Sequence, residues 1–182
     1  WYIGNTSRNK GVPLEVQKLT HSFTYNNLKS LEKLFKKHPN EFAAVIIEPM
    51  SFEEPKEDFL KDLKNLTHKN RAILVFDEII TGFRFDIGGA QKLFGVTPDL
   101  ATFGKSMANG FPISAIVGKS QIMDEMENIF FSSTFGGEII SIVAAIAVIE
   151  KMKSRSVLKK IKSNGLILKE KVNTLLKKHK LN

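Results

Sequence analysis

The stretch Ala72-Ile73-Leu74-Val75-Phe76-Asp77-Glu78-Ile79-Ile80-Thr81-Gly82-Phe83-Arg84 places a carboxylate at the exit of an uninterrupted apolar run, just ahead of a glycine-containing turn. A run apolar on both faces, with polar Arg71 before it and Gly82 after, predicts a parallel strand inside a sheet covered by helices. Open α/β sheets bind ligands at the carboxyl ends of their strands, so Asp77 is a candidate site residue. Glu78 follows it directly and faces the other side of an extended backbone, which argues against a catalytic pair of acids.

A second apolar run, Leu100-Ala101-Thr102-Phe103, leads into Gly104-Lys105-Ser106-Met107-Ala108-Asn109-Gly110-Phe111-Pro112. A lysine therefore also follows a strand tip. If both strands run the same way in one sheet, an acid and an amine reach one pocket. Pyridoxal-phosphate enzymes use such a pair: the amine forms a Schiff base with the cofactor aldehyde, and the carboxylate keeps the pyridine nitrogen protonated. An ammonium cannot accept a proton, so a lysine that also carries protons must act as the neutral amine.

DEIITGFR at 77–84, FGKSMANGFP at 103–112 and SSTFGG at 132–137 together resemble the class III (glutamate-1-semialdehyde aminomutase-like) aminotransferases, in that family's order and approximate spacing. The resemblance covers most of residues 1–150. It implies an α/β protein of the fold type I pyridoxal-phosphate transferases, with a mixed, mostly parallel sheet and flanking helices. By the same resemblance, residues 1–151 are part of the large, cofactor-binding domain and residues 152–182 are the basic helical start of a small C-terminal domain. The implied cofactor is pyridoxal 5'-phosphate, with Lys105 as its Schiff-base lysine and catalytic residue and Asp77 as partner of the ring nitrogen. Ile79 matches the aliphatic residue packed on the ring, and Thr134 a threonine that reaches the cofactor phosphate of the neighbouring subunit. A hydroxyl- and glycine-rich loop before a helix suits a phosphate, although alone it equally suits a helix cap.

The implied reaction moves an amino group from a small-molecule amine donor to an aldehyde or ketone, in a homodimer; intramolecular exchange, as in the aminomutase, is the alternative. Glu138 follows Gly137 where many aminomutases have asparagine-proline. Family members are longer than this chain and carry a glycine-rich phosphate cup and a ring-stacking aromatic in a part upstream of Trp1, so the sequence reads as a fragment.

Working outward, Asn5–Thr24 is polar and reads as surface loop, and Leu28, Leu31, Leu34 and Phe35 predict an amphipathic helix over 27–37. Ala43–Ile47 predicts a further strand, ending at Glu48-Pro49. The family has a matching glutamate-proline, but the Ser51-Phe52-Glu53-Glu54 that follows is less typical, and Glu48 is given no role. Pro55 is expected at a first helical position, with Phe59, Leu60, Leu63 and Leu66 on the buried face of the helix it starts. Short helices over 88–94 and 121–126, strands over 114–118 and 129–132, and a nearly all-apolar helix over 138–152, expected to be buried between the sheet and a neighbouring subunit or domain, complete the expected order. A basic helix follows over 154–179, with Asn164-Gly165 as a possible break.

No cysteine occurs among the 182 residues, which excludes disulfide scaffolds, thiolate metal sites and cysteine nucleophiles and fits a reducing, cytoplasmic setting. The opening Trp-Tyr-Ile-Gly-Asn-Thr lacks a signal-peptide pattern, and the apolar run 139–149 is too short for a bilayer. Charge is uneven: residues 1–150 hold 16 Lys/Arg against 18 Asp/Glu, and residues 151–182 hold 11 against 1. Such a tail reads first as a solvated helix face, the alternative being a nucleic-acid-binding tail on an inactive fragment. His21, His38, His68 and His179 have no ligand-like spacing, so no metal is expected. A P-loop nucleotidase is also excluded. Its phosphate loop would need glycine where Asp99 stands, and would precede the acidic strand.

Overall fold

In the polar N-terminal segment Pro13 starts a single helical turn, α1 (Leu14–Lys18), where only loop is expected. The computed structural model describes residues 5–181; Trp1–Gly4, and with them most of the opening read against a signal peptide, lie outside the described residues, as does Asn182. The three-four leucine spacing then forms α2 (Leu28–Lys37), which buries Leu31 and Phe35. Asn27 caps it: its side chain accepts a hydrogen bond from the Ser30 amide at 3.3 Å. An asparagine cap is worth about 1 kcal/mol, so Asn27→Ala should lower the unfolding free energy by that amount, read in a chemical melt as a lower denaturant midpoint with an unchanged slope.

Ala44–Ile47 forms β1, its residues alternately half-buried and buried. The next helix, α3 (Phe59–Lys69), begins four residues later than Pro55 leads one to expect. Asp58 ahead of it adopts a left-handed conformation, φ 59°, which no helix interior accommodates. The Lys56 amide is instead bonded to the Asn26 side chain at 2.9 Å. Phe59, Leu60 and Leu63 are buried as expected, but the position after Leu66 is the one that closes the face. Thr67 is wholly buried there, and its hydroxyl donates to the Leu63 carbonyl at 2.7 Å.

The apolar run 72–77 forms β2 (Ile73–Asp77), with Leu74 and Phe76 fully buried. Beyond it come α4 (Gly89–Leu93) and β3 (Leu100–Phe103). A last strand, β4 (Ala115–Gly118), leaves three of its four residues exposed, as an edge strand does. The order across the sheet is β1-β2-β3-β4. Strands β2 and β3 are parallel, pairing Val75 with Leu100, Phe76 with Ala101 and Asp77 with Thr102, whereas β4 runs antiparallel to β3. The sheet is thus mixed. Asp99 stitches its entrance: the carboxylate, 3% exposed, accepts from the Leu74 amide at 2.7 Å and pairs with the Lys119 amine at 2.6 Å. Its backbone bonds to both neighbouring strands, with Asp99 N donating to Leu74 O and Lys119 N donating to Asp99 O.

Past β4, α5 (Ser120–Met123) tightens into a 3-10 turn over Asp124–Glu127. The strand expected over 129–132 does not form. Phe130 and Phe131 stand exposed in irregular chain, because β-favouring side chains need a neighbouring edge to pair with. Ile139–Ser154 is α6; within this chain only Ser141 and Ala145 of it are buried, while Ile139, Ile140, Val143 and Ile146 are exposed, and the burial expected of it needs a neighbouring subunit or domain. The apolar composition records what the helix is able to pack against, not what this chain supplies. Helix α7 (Val157–Lys178) runs through Gly165 without a break, consistent with a cost of only about 1 kcal/mol for one helical glycine.

By their contacts the described residues form two compact units, one of residues 5–45 and 55–73 and one of residues 46–54 and 74–181. In the first, Phe35 and Phe42 meet edge to face at 5.6 Å, and Tyr25 lies against Phe59 at 5.2 Å. The second holds Asp77, Lys105 and Thr134. Among the described residues no helix is long and apolar enough to cross a membrane.

Candidate active site

Parallel pairing of β2 with β3 brings two carboxyl ends to one edge. Asp77 is the last residue of β2, and its register partner Thr102 is three residues from Lys105. Lys105 and Asp77 thus leave the sheet at the same edge, with at most about 10 Å of chain between Thr102 and Lys105. The ladder continues one step past Asp77, where the Glu78 amide donates to the Thr102 carbonyl at 3.0 Å. Asp77 is half-buried; its Oδ1 accepts from the Ile79 amide at 3.1 Å and from the Thr102 hydroxyl at 3.4 Å. The Thr102 bond ties the carboxylate to β3, and the Ile79 bond holds it to its own backbone.

Lys105 opens a short 3-10 turn, Lys105–Met107, directly after Gly104. Its φ is +38°, in the left-handed region that a side-chain-bearing residue occupies at a cost of roughly 1–3 kcal/mol. Such strain persists only where the surroundings enforce it. Here Met107 N donates to Gly104 O and Asn109 N to Lys105 O, both at 2.9 Å, and Ser106, Met107 and Ala108 are buried beneath the turn. Helix α6 packs against the same turn. The lysine is left as the exposed residue of a rigid knuckle. Ile79 belongs with it: a Cβ added to Gly104 would lie 3.7 Å from Ile79 Cγ2.

Asp77, Ile79 and Lys105 are therefore gathered on one edge. Thr134 is exposed in the turn 134–137 ahead of α6. It is not the cap of that helix. Glu138 is, its carboxylate accepting from Ser141 N at 2.7 Å and Ile140 N at 2.9 Å. Bonding to Ser141, above all, and to the Ile140 amide holds the Glu138 carboxyl below the usual glutamate range. Glu48 is half-buried one residue beyond β1.

Behind the edge the chain carries polar groups that sequence reasoning missed. Glu78 is completely buried. Its Oε2 accepts from the Thr81 hydroxyl at 2.8 Å and the Ala90 amide at 2.6 Å, and its Oε1 from the Gln91 amide at 2.9 Å and the Gln91 side chain at 3.3 Å. Gly89, at φ +77°, has no room for a side chain, because a Cβ there would overlap this carboxylate. Gly82 is equally constrained: a Cβ would meet the Phe103 ring at 2.5 Å and Glu78 O at 2.7 Å. Between the two glycines Asp86 accepts from the Gly88 amide at 2.8 Å and pairs with Lys92 at 3.3 Å. The Gly88 amide first, then Lys92, hold its carboxyl below the ordinary aspartate range despite some desolvation. The signal for Glu78 was present in the sequence, as an acid one step past a buried strand end with glycines on either side of the following loop. Among the described residues no group of three metal-ligating side chains occurs.

Residues 8–182 match the family described as Aminotransferase class-III. A glutamate-1-semialdehyde 2,1-aminomutase of Ruminiclostridium cellulolyticum is 41% identical over 152 residues, which are 80% of this chain and 35% of that protein. A 3-aminobutyryl-CoA aminotransferase of Cloacimonas acidaminovorans is 43% identical over 147 residues, 77% of this chain and 36% of that protein. This chain thus spans about a third of the length of these relatives. Among solved structures, the FumI protein of Sphingopyxis sp. MTA144, in its PLP internal aldimine form, superposes with a TM-score of 0.87 at 27% identity, over 93% of this chain and 42% of that one.

Proposed function

This chain belongs to the class III aminotransferase family, and from that premise we propose that it carries the sheet edge on which a pyridoxal-phosphate enzyme moves an amino group from a small-molecule amine to an aldehyde or ketone. The observation that carries the reading is the juxtaposition of Asp77 and a left-handed Lys105 at the ends of two paired parallel strands. The donor set fits the cofactor: an amine suits an aldehyde, and a held carboxylate suits a ring N–H. When bound, pyridoxal phosphate supplies a protonated ring that draws electrons from the substrate carbon.

The chain's own residues do the rest. Lys105 Nζ would hold the cofactor and, when free as the neutral amine, would accept and return the proton of the substrate carbon. Asp77 would accept the ring N–H and supply the negative charge that favours the protonated ring. Ile79, beside Gly104, packs on the ring face and excludes water. Thr134, on its exposed turn, reaches the phosphate bound by a partner subunit, so the active form is a homodimer. Residues 1–151 belong to the large domain and residues 152–182 begin the small one, a division supported by the change of charge at residue 151; the break between α6 and α7 follows at Arg155–Ser156. A cytoplasmic setting, supported by the absence of cysteine, belongs to the same proposal.

Intermolecular transfer is favoured over intramolecular exchange because Glu138 is committed to capping α6, at the position where the aminomutase pattern differs. The test is turnover by the full-length protein with and without an added keto acid. Consumption of an amine donor that stops without the keto acid supports the transferase; turnover that continues without it supports the mutase. A protein that develops no visible absorbance with pyridoxal phosphate refutes both.

A further inference from the structure

We infer that Glu78 is a positioning residue for Asp77, holding the acid in place from the opposite face of the sheet. The inference rests on the reading of Asp77 as partner of the cofactor ring nitrogen and adds to it the device that fixes that partner.

Successive residues of an extended strand face opposite sides, so Asp77 at the site edge turns Glu78 into the protein. A buried carboxylate persists only when fully hydrogen-bonded. Glu78 meets that condition with four donors, the Thr81 hydroxyl, the Ala90 and Gln91 amides and the Gln91 side chain, at 2.6–3.3 Å. Two of these are backbone groups 12 and 13 residues away in sequence. The carboxylate therefore closes the loop 78–91 into a ring, and Gly89 is the residue whose missing side chain admits it. The backbone of Glu78 is tied as well, its amide to Thr102 O at 3.0 Å and its carbonyl to Gly82 N at 2.8 Å. Asp77 and Ile79 flank this anchored residue on either side. Their positions relative to Lys105 follow from it.

Glutamine is the informative replacement. Both oxygens of Glu78 accept from a backbone N–H, Ala90 N on one and Gln91 N on the other. Whichever way the amide turns, its NH2 faces an N–H donor and the ring loosens. In the full-length holoenzyme, Glu78→Gln is expected to lower kcat about 10- to 100-fold, the scale of a small misplacement of a reacting group. KM for the amino donor should change little, and the pH dependence of the bound cofactor's visible absorbance should shift, since that band follows protonation of the link to lysine, whose basicity depends on the charge at the ring nitrogen. Thr81→Val removes one donor of the four and should move the same titration in the same direction by less; it serves if Glu78→Gln does not fold. A folded variant whose titration superimposes on the wild type, or whose loss lies in KM alone, overturns the inference. Asp77→Asn, measured alongside, separates the two ideas. If it shifts the titration while the Glu78 and Thr81 variants do not, only the role of Glu78 fails; if it shifts nothing, the reading of Asp77 fails and the role of Glu78 with it.

Discussion

Lys105→Ala in the full-length protein should lower the rate of amino transfer by at least about 10⁴-fold, the upper end of what a positioned acid or base contributes, because the same side chain also forms the covalent link. Among the described residues none shares its position on the knuckle. The backbone at Lys105 is strained, at φ +38°, and the turn that enforces it is buried at Ser106, Met107 and Ala108, so no neighbouring lysine can shift into the position. Lys119, the next lysine in the chain, is engaged by the Asp99 carboxylate at 2.6 Å at the other end of β3. Alanine keeps the fold, since the lysine side chain is exposed and its removal opens no cavity. The chemical check is borohydride reduction of the wild-type holoenzyme followed by peptide mapping. The cofactor should be found on the peptide that contains residues 103–112, and the alanine variant should carry none. A rate within tenfold of wild type, or a cofactor trapped on another lysine, rules out Lys105 as the linking amine.

The parts of this arrangement that were legible in the sequence are those in which one short segment carries both the element and its chemistry. The run 72–77 is apolar without interruption and ends in an acid, and 100–105 repeats the pattern with an amine, so strands, tips and pairing direction could all be read locally. The rest depended on contacts between segments distant in sequence. Glu78 could be placed on the face opposite Asp77, but not among its partners at residues 81, 90 and 91. Asp99, next to Pro98, bonds to Leu74, 25 positions earlier, and to Lys119 just past β4. Phe130 and Phe131 have the side chains of a strand and none of its neighbours. In the same way α6 has the composition of a buried helix and an exposed face. Composition limits what a segment can pack against, and topology decides whether the partner is present.

Asp77→Asn separates the shape of the acid from its charge. The amide can keep the Ile79 and Thr102 bonds through its oxygen, so the strand end should hold its position. What changes is the other atom of the side chain, which becomes a donor and can no longer accept a ring N–H, and the net negative charge, which is lost. A hydrogen bond to a charged group contributes about 1.5–3 kcal/mol, or about 10- to 150-fold in rate at 1.36 kcal/mol per decade. Loss of the ring proton removes the electron sink as well, so kcat should fall by at least about 100-fold. The effect should appear in kcat with KM for the donor nearly unchanged, because the bond strengthens as charge moves into the ring during reaction and not when substrate binds. Borohydride should still attach the cofactor to Lys105 in this variant. Retention of the link with loss of turnover would assign the two strand tips their separate tasks, amine for attachment and proton transfer, acid for the ring. An asparagine variant with kcat within about threefold of wild type, less than one hydrogen bond to a charged group contributes, would mean that no charge is needed at that strand end, and that the pairing of β2 with β3 positions something other than a pyridine ring.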